Sequence, residues 1–405
     1  MMTMEPIYLD NNATTQVDPA VVAAMLPFFT EHFGNPSSIH AFGAQVGKAL
    51  KTARAQVQAL LGAEHNSEII FTSCGTESDS TAILSALKAQ PERRVVITTA
   101  VEHPAILTLC EWLEKEDYVV HRLPVDKKGR IDLDQYKSLL APNVAIVSAM
   151  WANNETGTLF PVEEMAEMAH EAGVMFHTDA VQAVGKIPVD LKATKIDMLS
   201  LSGHKLHAPK GVGVLYLRRG CRFRPLFRGG HQERGRRAGT ENSAGIVALG
   251  KAAELAMANI GHENSVVKRL RDKLERGILA KVSHAFVTGD TLYRLPNTSN
   301  IAFEYIEGEG ILLLLNKLGI AASSGSACTS GSLEPSHVMR AMGIPYTAAH
   351  GTIRFSLSRY TTEAEIDRVI AAVPPIAAQL RKLSPYWSGN APVKNPEQAF
   401  APAYA

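Results

Sequence analysis

Two short stretches decide the fold: Val174-Met175-Phe176-His177-Thr178-Asp179-Ala180-Val181-Gln182 and Leu199-Ser200-Leu201-Ser202-Gly203-His204-Lys205. Each begins apolar and ends in residues able to carry chemistry. The apolar run over 174–176 reads as a buried strand. An Asp at the end of such a strand is costly unless it meets a cation or a donor. A lysine just past a buried strand, among small and hydroxyl residues, is a candidate Schiff-base lysine. Taken alone, each has a blander reading: Asp179 as the N-cap of a following helix, and Lys205 as an ordinary loop lysine.

Working outward, the same alternation recurs. Strand-like runs at 68–71, 95–97, 118–120, 144–147, 196–199 and 213–217 are separated by helical spacing over 77–88, 104–116, 133–140 and 162–172. Pro104 sits at a tolerated first-turn position. This predicts an α/β fold with a mostly parallel sheet covered by helices, which binds ligands beyond the carboxyl ends of its strands. After about residue 240 the pattern changes. Helical stretches over 243–259 and 263–281 lead to a smaller mixed unit over 285–380, with strands at 300–303 and 352–357 and helices at 311–318 and 363–379. Residues 384–405 carry Pro385, Pro392, Pro396 and Pro402 without helical period, so a poorly packed tail, or one lying over a surface, is expected.

Two further strand ends carry candidates. Thr72-Ser73-Cys74-Gly75-Thr76-Glu77-Ser78 lies between a strand and a helix, where small residues expose backbone N–H groups to an anion and Thr76 adds a hydroxyl. A capping box on Ser73 is the simpler alternative. His103, just before Pro104, stands at a strand end where it can stack on a ring and exchange protons near neutral pH. A phosphate cradle, an acid for a pyridine nitrogen at Asp179 and a lysine occur in the order that pyridoxal phosphate needs on such a sheet, with Gln182 placed to donate to the ring's phenolic oxygen.

Composition narrows the alternatives. The chain has 405 residues, 46% hydrophobic, with 41 Lys and Arg against 40 Asp and Glu. That near-neutral balance shows no footprint for nucleic acid or an acidic membrane. The apolar fraction is that of a packed globule. The longest apolar runs fall far short of the ~20 residues that span a bilayer. The start of the chain shows no signal peptide, and a cytoplasmic protein is expected. The four cysteines, Cys74, Cys110, Cys221 and Cys328, have no Cys-x-x-Cys spacing, which excludes a zinc ribbon or dithiol motif.

With these motifs on the page, Thr76, His103, Asn154, Asp179, Gln182 and Ser202-Gly203-His204-Lys205 resemble a class V aminotransferase-fold enzyme. Tyr8-Leu9-Asp10-Asn11-Asn12-Ala13-Thr14-Thr15 and Phe33-Gly34-Asn35-Pro36-Ser37-Ser38 are similar to the start of the cysteine desulfurases within that family. Ser323-Ser324-Gly325-Ser326-Ala327-Cys328-Thr329-Ser330-Gly331-Ser332, a Gly/Ser loop with one thiol, resembles the long catalytic loop of the NifS/IscS group. Ser73-Cys74-Gly75-Thr76, the stretch 205–210 and the ending Ser384-Pro385-Tyr386-Trp387 point to the nitrogen-fixation NifS branch. Gly239-Thr240-Glu241-Asn242 departs from relatives that carry Pro after the Thr.

The resemblance implies a fold type I pyridoxal phosphate enzyme. Its large domain, 15–260, holds a mostly parallel seven-stranded sheet; 1–14 and 261–383 form a smaller α+β domain carrying the loop 323–335; and 384–405 is the Pro-rich tail. It implies a homodimer in which Thr240 reaches the partner's cofactor phosphate. Gly75, Thr76, His103, Asn154, Asp179, Gln182, Ser202, Gly203, His204 and Lys205 hold the cofactor. Arg354, Asn154 and Asn35 bind the substrate, L-cysteine. Lys205 takes the α-proton, and Cys328, with His103 exchanging protons nearby, attacks the substrate sulfur to leave a persulfide and alanine. The sulfur then passes to an iron–sulfur scaffold protein, with nitrogenase maturation as its destination. No resident metal is expected, only a transient iron–sulfur contact at Cys328. A housekeeping IscS-type desulfurase, a selenocysteine lyase, an ordinary aminotransferase and a non-catalytic scaffold on the same fold are the alternatives. A thiol protease leaves Lys205 and Asp179 without a role.

Overall fold

A computed structural model describes residues 5–324, 335–389 and 391–393. Seven strands form the main sheet, in the spatial order Ile69–Thr72, Gly213–Leu217, Met198–Ser202, Met175–Asp179, Val144–Ser148, Val95–Thr99, Val119–Leu123. Neighbours are parallel except at Gly213–Leu217, which runs antiparallel to both of its partners. Every strand of the alternating region is thus in one sheet, displaced by up to a few residues from the apolar runs that announce it. The reason is that a strand continues while its backbone is paired. Met175–Asp179 pairs through Asp179, well past the apolar run.

Side chains alternate between the two faces, as strand geometry requires. Ile69, Phe71, Ile97, Val147, Phe176 and Leu199 join one apolar cluster. Ile70, Val96, Ile146, Met198 and Leu215 join another on the opposite face. Cys110 lies in the second, fully buried, and burial pushes its thiol up to about 12. Helices Ala41–Leu61 and Ser243–His262 cover the first face in close contact. A Cβ added at Gly250 would stand 2.5 Å from Ala53 Cα, which is backbone.

A third apolar cluster gathers Leu270, Leu274, Phe303, Phe355, Ile366 and Val373, together with Ile7 and Leu9 from the start of the chain. Its sheet has Thr298–Phe303 in the centre, antiparallel to Thr352–Ser356 and Ala285–Val287. The chain's start is stitched in by Ile7–Tyr8 pairing with Ile320–Ala321 and a bridge from Asp10 to Ser356. The two helical stretches expected near 243–281 are one continuous element. Ser243–His262 runs through a π-helical turn, Glu263–Val267, into Lys268–Leu279. The C-terminal helix is also longer than its period suggests, Glu363–Leu383, running through Pro374 and Pro375.

The first residues of the Pro-rich tail lie on the surface. Trp387 packs its ring against His284 and Tyr305, with the Arg381 guanidinium 4.5 Å from the ring centre. The remainder of the tail lies outside the described residues.

Gly250→Ala tests the helix contact. Helix propensity alone would favour Ala by about 1 kcal/mol. Forcing apart two packed backbones costs about 1–3 kcal/mol. A net loss of stability is expected in urea unfolding, and an unchanged or raised midpoint contradicts the close approach.

Candidate active site

The cleft is built where strands stop. Ile69–Thr72 leads to Cys74, Gly75 and Thr76; Val95–Thr99 to His103; Val144–Ser148 to Met150 and Asn154; Met175–Asp179 ends in Asp179; and Met198–Ser202 leads to His204 and Lys205. Together with Asn12, Ala13, Asp79, Gln182 and Arg354 these residues line one cleft of ≈ 970 Å³. Convergence at strand carboxyl ends is the ligand position general to open α/β sheets.

The helix Gly75–Ala89 starts at the cleft. Its N-cap is Cys74, one residue later than the capping box placed on Ser73. Cys74 Sγ accepts from the Glu77 N–H at 3.5 Å, and Glu77 reaches back to accept from the Ser73 N–H at 2.7 Å. The first-turn N–H groups of Gly75 and Thr76 stand at the helix's positive end. Gly75 is buried, and a Cβ there would come within 3.0 Å of Val181 Cγ2.

Asp179 is buried and accepts from the Val181 N–H at 2.9 Å. It caps a turn that contains Gln182, so no helix starts at Asp179. Burial pushes the carboxyl up to about 6, opposed by the Val181 N–H and the charge of Lys205. Beside it, Asp79 is 1% exposed, and its Oδ1 has no hydrogen-bond partner among the described residues. Burial, and then the charge of Asp179, hold that carboxyl well above the usual range.

His103 is the N-cap of the helix Pro104–Lys115, with Nδ1 accepting from the Ala105 N–H at 3.1 Å. Burial, with the charges of Lys205 and His337, pushes the ring down to about 4. The neutral ring therefore carries its proton on Nε2. Lys205 Nζ donates to the carbonyls of Asn12 at 2.5 Å and Ala13 at 2.7 Å. Gln182 Nε2 donates to the same Asn12 carbonyl at 3.0 Å, and Asn12 Nδ2 donates to the Asn154 carbonyl at 3.1 Å. Arg354, 2% exposed, donates to Asp10 Oδ1 at 2.7 Å and to the Asn154 carbonyl at 3.0 Å, while its Nε has no partner among the described residues.

Of the residues singled out from sequence, Gly75, Thr76, His103, Asn154, Asp179, Gln182, Ser202, His204, Lys205 and Arg354 share this cleft. Gly203 lies behind it, packed against Val212. Thr240 is exposed and lines a separate cleft with Ser73 and Arg237. Asn35 is also exposed and accepts from the Ser37 N–H within its own turn. Cys328 lies outside the described residues. The flanks of its loop reach the cleft walls: Ser323 and Arg354 exchange backbone hydrogen bonds, Ser336 Oγ donates to Glu155 Oε2 at 2.6 Å, and His337 Nε2 lies 2.9 Å from the Glu102 carbonyl.

Sequence reasoning missed Asp10, Asn12 and Asp79. Asp10 and Asn12 were quoted only as part of a resemblance. The signal available for Asp79 was a charged residue among the buried positions of its helix. Cys74 is a helix cap that lines the cleft. Cys221 donates its thiol to Asp197 Oδ1 at 3.1 Å.

Comparison with known proteins places this geometry. The Aminotransferase class-V family matches residues 7–369. A cysteine desulfurase NifS of Azotobacter vinelandii is 77% identical over 401 residues, 99% of this chain and 100% of the relative. A cysteine desulfurase of Gluconacetobacter diazotrophicus is 66% identical over 403 residues, 99% of this chain and 100% of the relative. Among solved structures, a NifS-like protein superposes with a TM-score of 0.87 at 37% identity, covering 93% of this chain and 100% of that one. SspA in complex with cysteine superposes with a TM-score of 0.78 at 34% identity, covering 88% and 100%.

Glu102 offers a test of the cleft's electrostatics. It is fully buried. Its Oε1 accepts from Thr99 Oγ1 and the Met150 N–H, and its Oε2 has no partner among the described residues. Burial pushes its carboxyl up to about 8. Unfolded, the group ionises near 4.5, so across that window the folded state holds a proton that the unfolded state has lost. Stability from this group therefore falls as pH rises from 4.5 towards 8. Glu102→Gln keeps the shape and stays neutral. Its urea midpoint, relative to the parent, is expected to rise from pH 5 to pH 8.5; a constant difference refutes a protonated Glu102.

Proposed function

The chain belongs to the class-V aminotransferase family, in the NifS branch of its cysteine desulfurases, and from that premise we propose how its own residues convert L-cysteine to L-alanine and a protein-bound persulfide. The family is pyridoxal-phosphate-dependent. The observation that carries the reading is the delivery of Thr76, His103, Asp179 and Lys205 from separate strand ends into one cleft.

The residues fit the cofactor. Asp79 and Asp179 are two buried carboxylates with an unmet need for a cation, which a protonated pyridine nitrogen answers. Gly75 and Thr76 offer a phosphate the N–H groups of a helix start, in a space that a side chain at Gly75 would narrow. When bound, the cofactor supplies an electron sink for charge developing on the substrate's α-carbon.

Lys205 would hold the cofactor through Nζ, and the same amine is the base for the substrate's α-proton. The Asn12 and Ala13 carbonyls hold that nitrogen at the cleft wall. Arg354 binds the substrate carboxylate with the guanidinium N–H groups that Asp10 and Asn154 leave free. His103 acts from its Nε2–H, because its Nδ1 lone pair is taken by the helix it caps. Cys328 attacks the substrate sulfur as a thiolate: the S–S bond forms as the substrate's Cβ–S bond breaks, and the electron pair of that bond stays with the three-carbon fragment that becomes alanine on protonation. Its loop is anchored on the Arg354 strand at one end and on Glu155 and Glu102 at the other.

Leu26, Phe29, Phe33, Ile39 and Phe42 leave large apolar side chains exposed, with the Phe33 and Phe42 rings 5.9 Å apart. Such a patch supports a homodimer, in which Thr240 serves the partner's cofactor phosphate. The persulfide passes in the cytoplasm to an iron–sulfur scaffold protein for nitrogenase maturation.

Cys328→Ala is expected to retain the cofactor's visible absorption and lose sulfide release from cysteine. Sulfide that survives the change moves the nucleophile elsewhere. Lys205→Ala is expected to lose the band of the lysine-bound cofactor, and a borohydride-trapped lysine adduct in that variant overturns the assignment. The parent should form alanine from cysteine with no keto-acid acceptor present.

A further inference from the structure

Lys186 is a buried lysine, 7% exposed, that the chemistry above does not use. It follows Gln182 by four residues, with a turn between them and a left-handed Gly185 just before it. A Cβ at Gly185 would stand 2.4 Å from Leu206 Cδ2, next to Lys205 in the chain. The backbone just before the lysine is therefore packed closely against the segment that carries Lys205.

Its contacts are directional. Lys186 Nζ donates to Gln182 Oε1 at 2.8 Å and to Asn12 Oδ1 at 3.4 Å. Gln182 Nε2 donates to the Asn12 carbonyl at 3.0 Å. A lysine amine facing an amide as donor requires oxygen, and a main-chain carbonyl requires N–H. These two partners leave the Gln182 amide one orientation. Its oxygen turns to the protein interior, and its NH₂ keeps one hydrogen for the cleft that Gln182 lines. Asn297 Nδ2 donates to Asn12 Oδ1 at 3.1 Å, and Asn12 Nδ2 donates to Thr298 Oγ1 at 2.9 Å, so Asn12 itself does not turn.

Lys186 has its own support. The π-helical turn Glu263–Val267 brings Glu263 to the same small void and lets Asn264 Nδ2 donate to the Lys186 carbonyl at 2.9 Å. Burial pushes the lysine down to about 7 and Glu263 up to about 7, each opposed by the other's charge. The amine keeps N–H donors whether or not it carries the extra proton, so the contact to Gln182 Oε1 survives in both states.

We propose that Lys186 is a positioning residue for cofactor binding: through Gln182 Oε1 and Asn12 Oδ1 it fixes the Gln182 amide with its N–H toward the cofactor's phenolic oxygen. The inference rests on the reading of Gln182 as that oxygen's donor, and the test separates the two.

The full-length holoenzyme is compared with Gln182→Leu, Lys186→Met and the double variant. Two quantities are read: the equilibrium dissociation constant for pyridoxal phosphate, and the pH midpoint of the cofactor's visible band. Gln182→Leu sets the scale. Losing a donor to an oxygen anion raises the midpoint, and losing one hydrogen bond weakens binding roughly two- to tenfold. Lys186→Met is expected to move both quantities in the same direction, and the double variant to move them no further than Gln182→Leu alone. Lys186→Met/Glu263→Gln, which removes the carboxylate left facing an apolar chain, gives the same readings if the single variant does not fold. If Gln182→Leu moves both quantities and the Lys186 variants do not, the proposal is wrong. If the Lys186 effect adds to that of Gln182→Leu, Lys186 acts by another route and the proposal is equally wrong. If Gln182→Leu moves neither, the reading of Gln182 fails and takes the proposal with it, while the Lys205 and Cys328 assignments stand on their own tests.

Discussion

Asp179 puts a buried carboxylate at the end of a central strand, with a second one, Asp79, beside it. Burying such groups costs several kcal/mol unless they are paired or protonated. Much of the cleft is organised around that constraint. The Val181 N–H and the charge of Lys205 favour the ionised form of Asp179, while burial opposes them. In the proposed reading, a cation on the cofactor ring relieves the rest.

The second organising element is Asn12. Its carbonyl receives Lys205 Nζ and Gln182 Nε2, and its side chain meets Lys186, Asn297 and Thr298. It comes from the chain's start, which runs alongside the strands of the Leu270–Phe355 core through Ile7, Leu9 and Asp10. Arg354 lies on one of those strands and is paired to Asp10. The substrate's proposed anchor and the lysine's resting partners therefore sit on the same few residues. A shift of that segment would move both.

How much was legible beforehand differs by the kind of signal. The seven strands were readable because buried parallel strands are short apolar runs separated by helical spacing. Their ends were displaced because pairing, not hydropathy, decides where a strand stops, as Asp179 shows. The helical period over 363–379 already carries through Pro374 and Pro375 and misses only the last turn to Leu383, whereas the π-helical turn at Glu263 was not readable. In both places packing overrides local preference: Ile376 and Ala377 are buried after the prolines, and Glu263 is buried at the turn. Asp79 was hidden because a charged residue in a helical pattern ordinarily faces water.

By itself, the sequence determined the order of the chemistry: a helix-start cradle, an acid and a lysine, each just past a strand, with a lone thiol in a Gly/Ser loop. These are local patterns, fixed by which residue types end a strand or start a helix. Only the tertiary structure decided which nitrogen of His103 is free, that Arg354 is tied to Asp10 and the Asn154 carbonyl, and that Cys74 rather than Ser73 caps its helix. It alone joined Asn12, Gln182, Lys186 and Glu263 into one buried group. Those choices depend on which atom meets which across distant segments, and hydrogen-bond direction is a property of the packed arrangement, not of residue type.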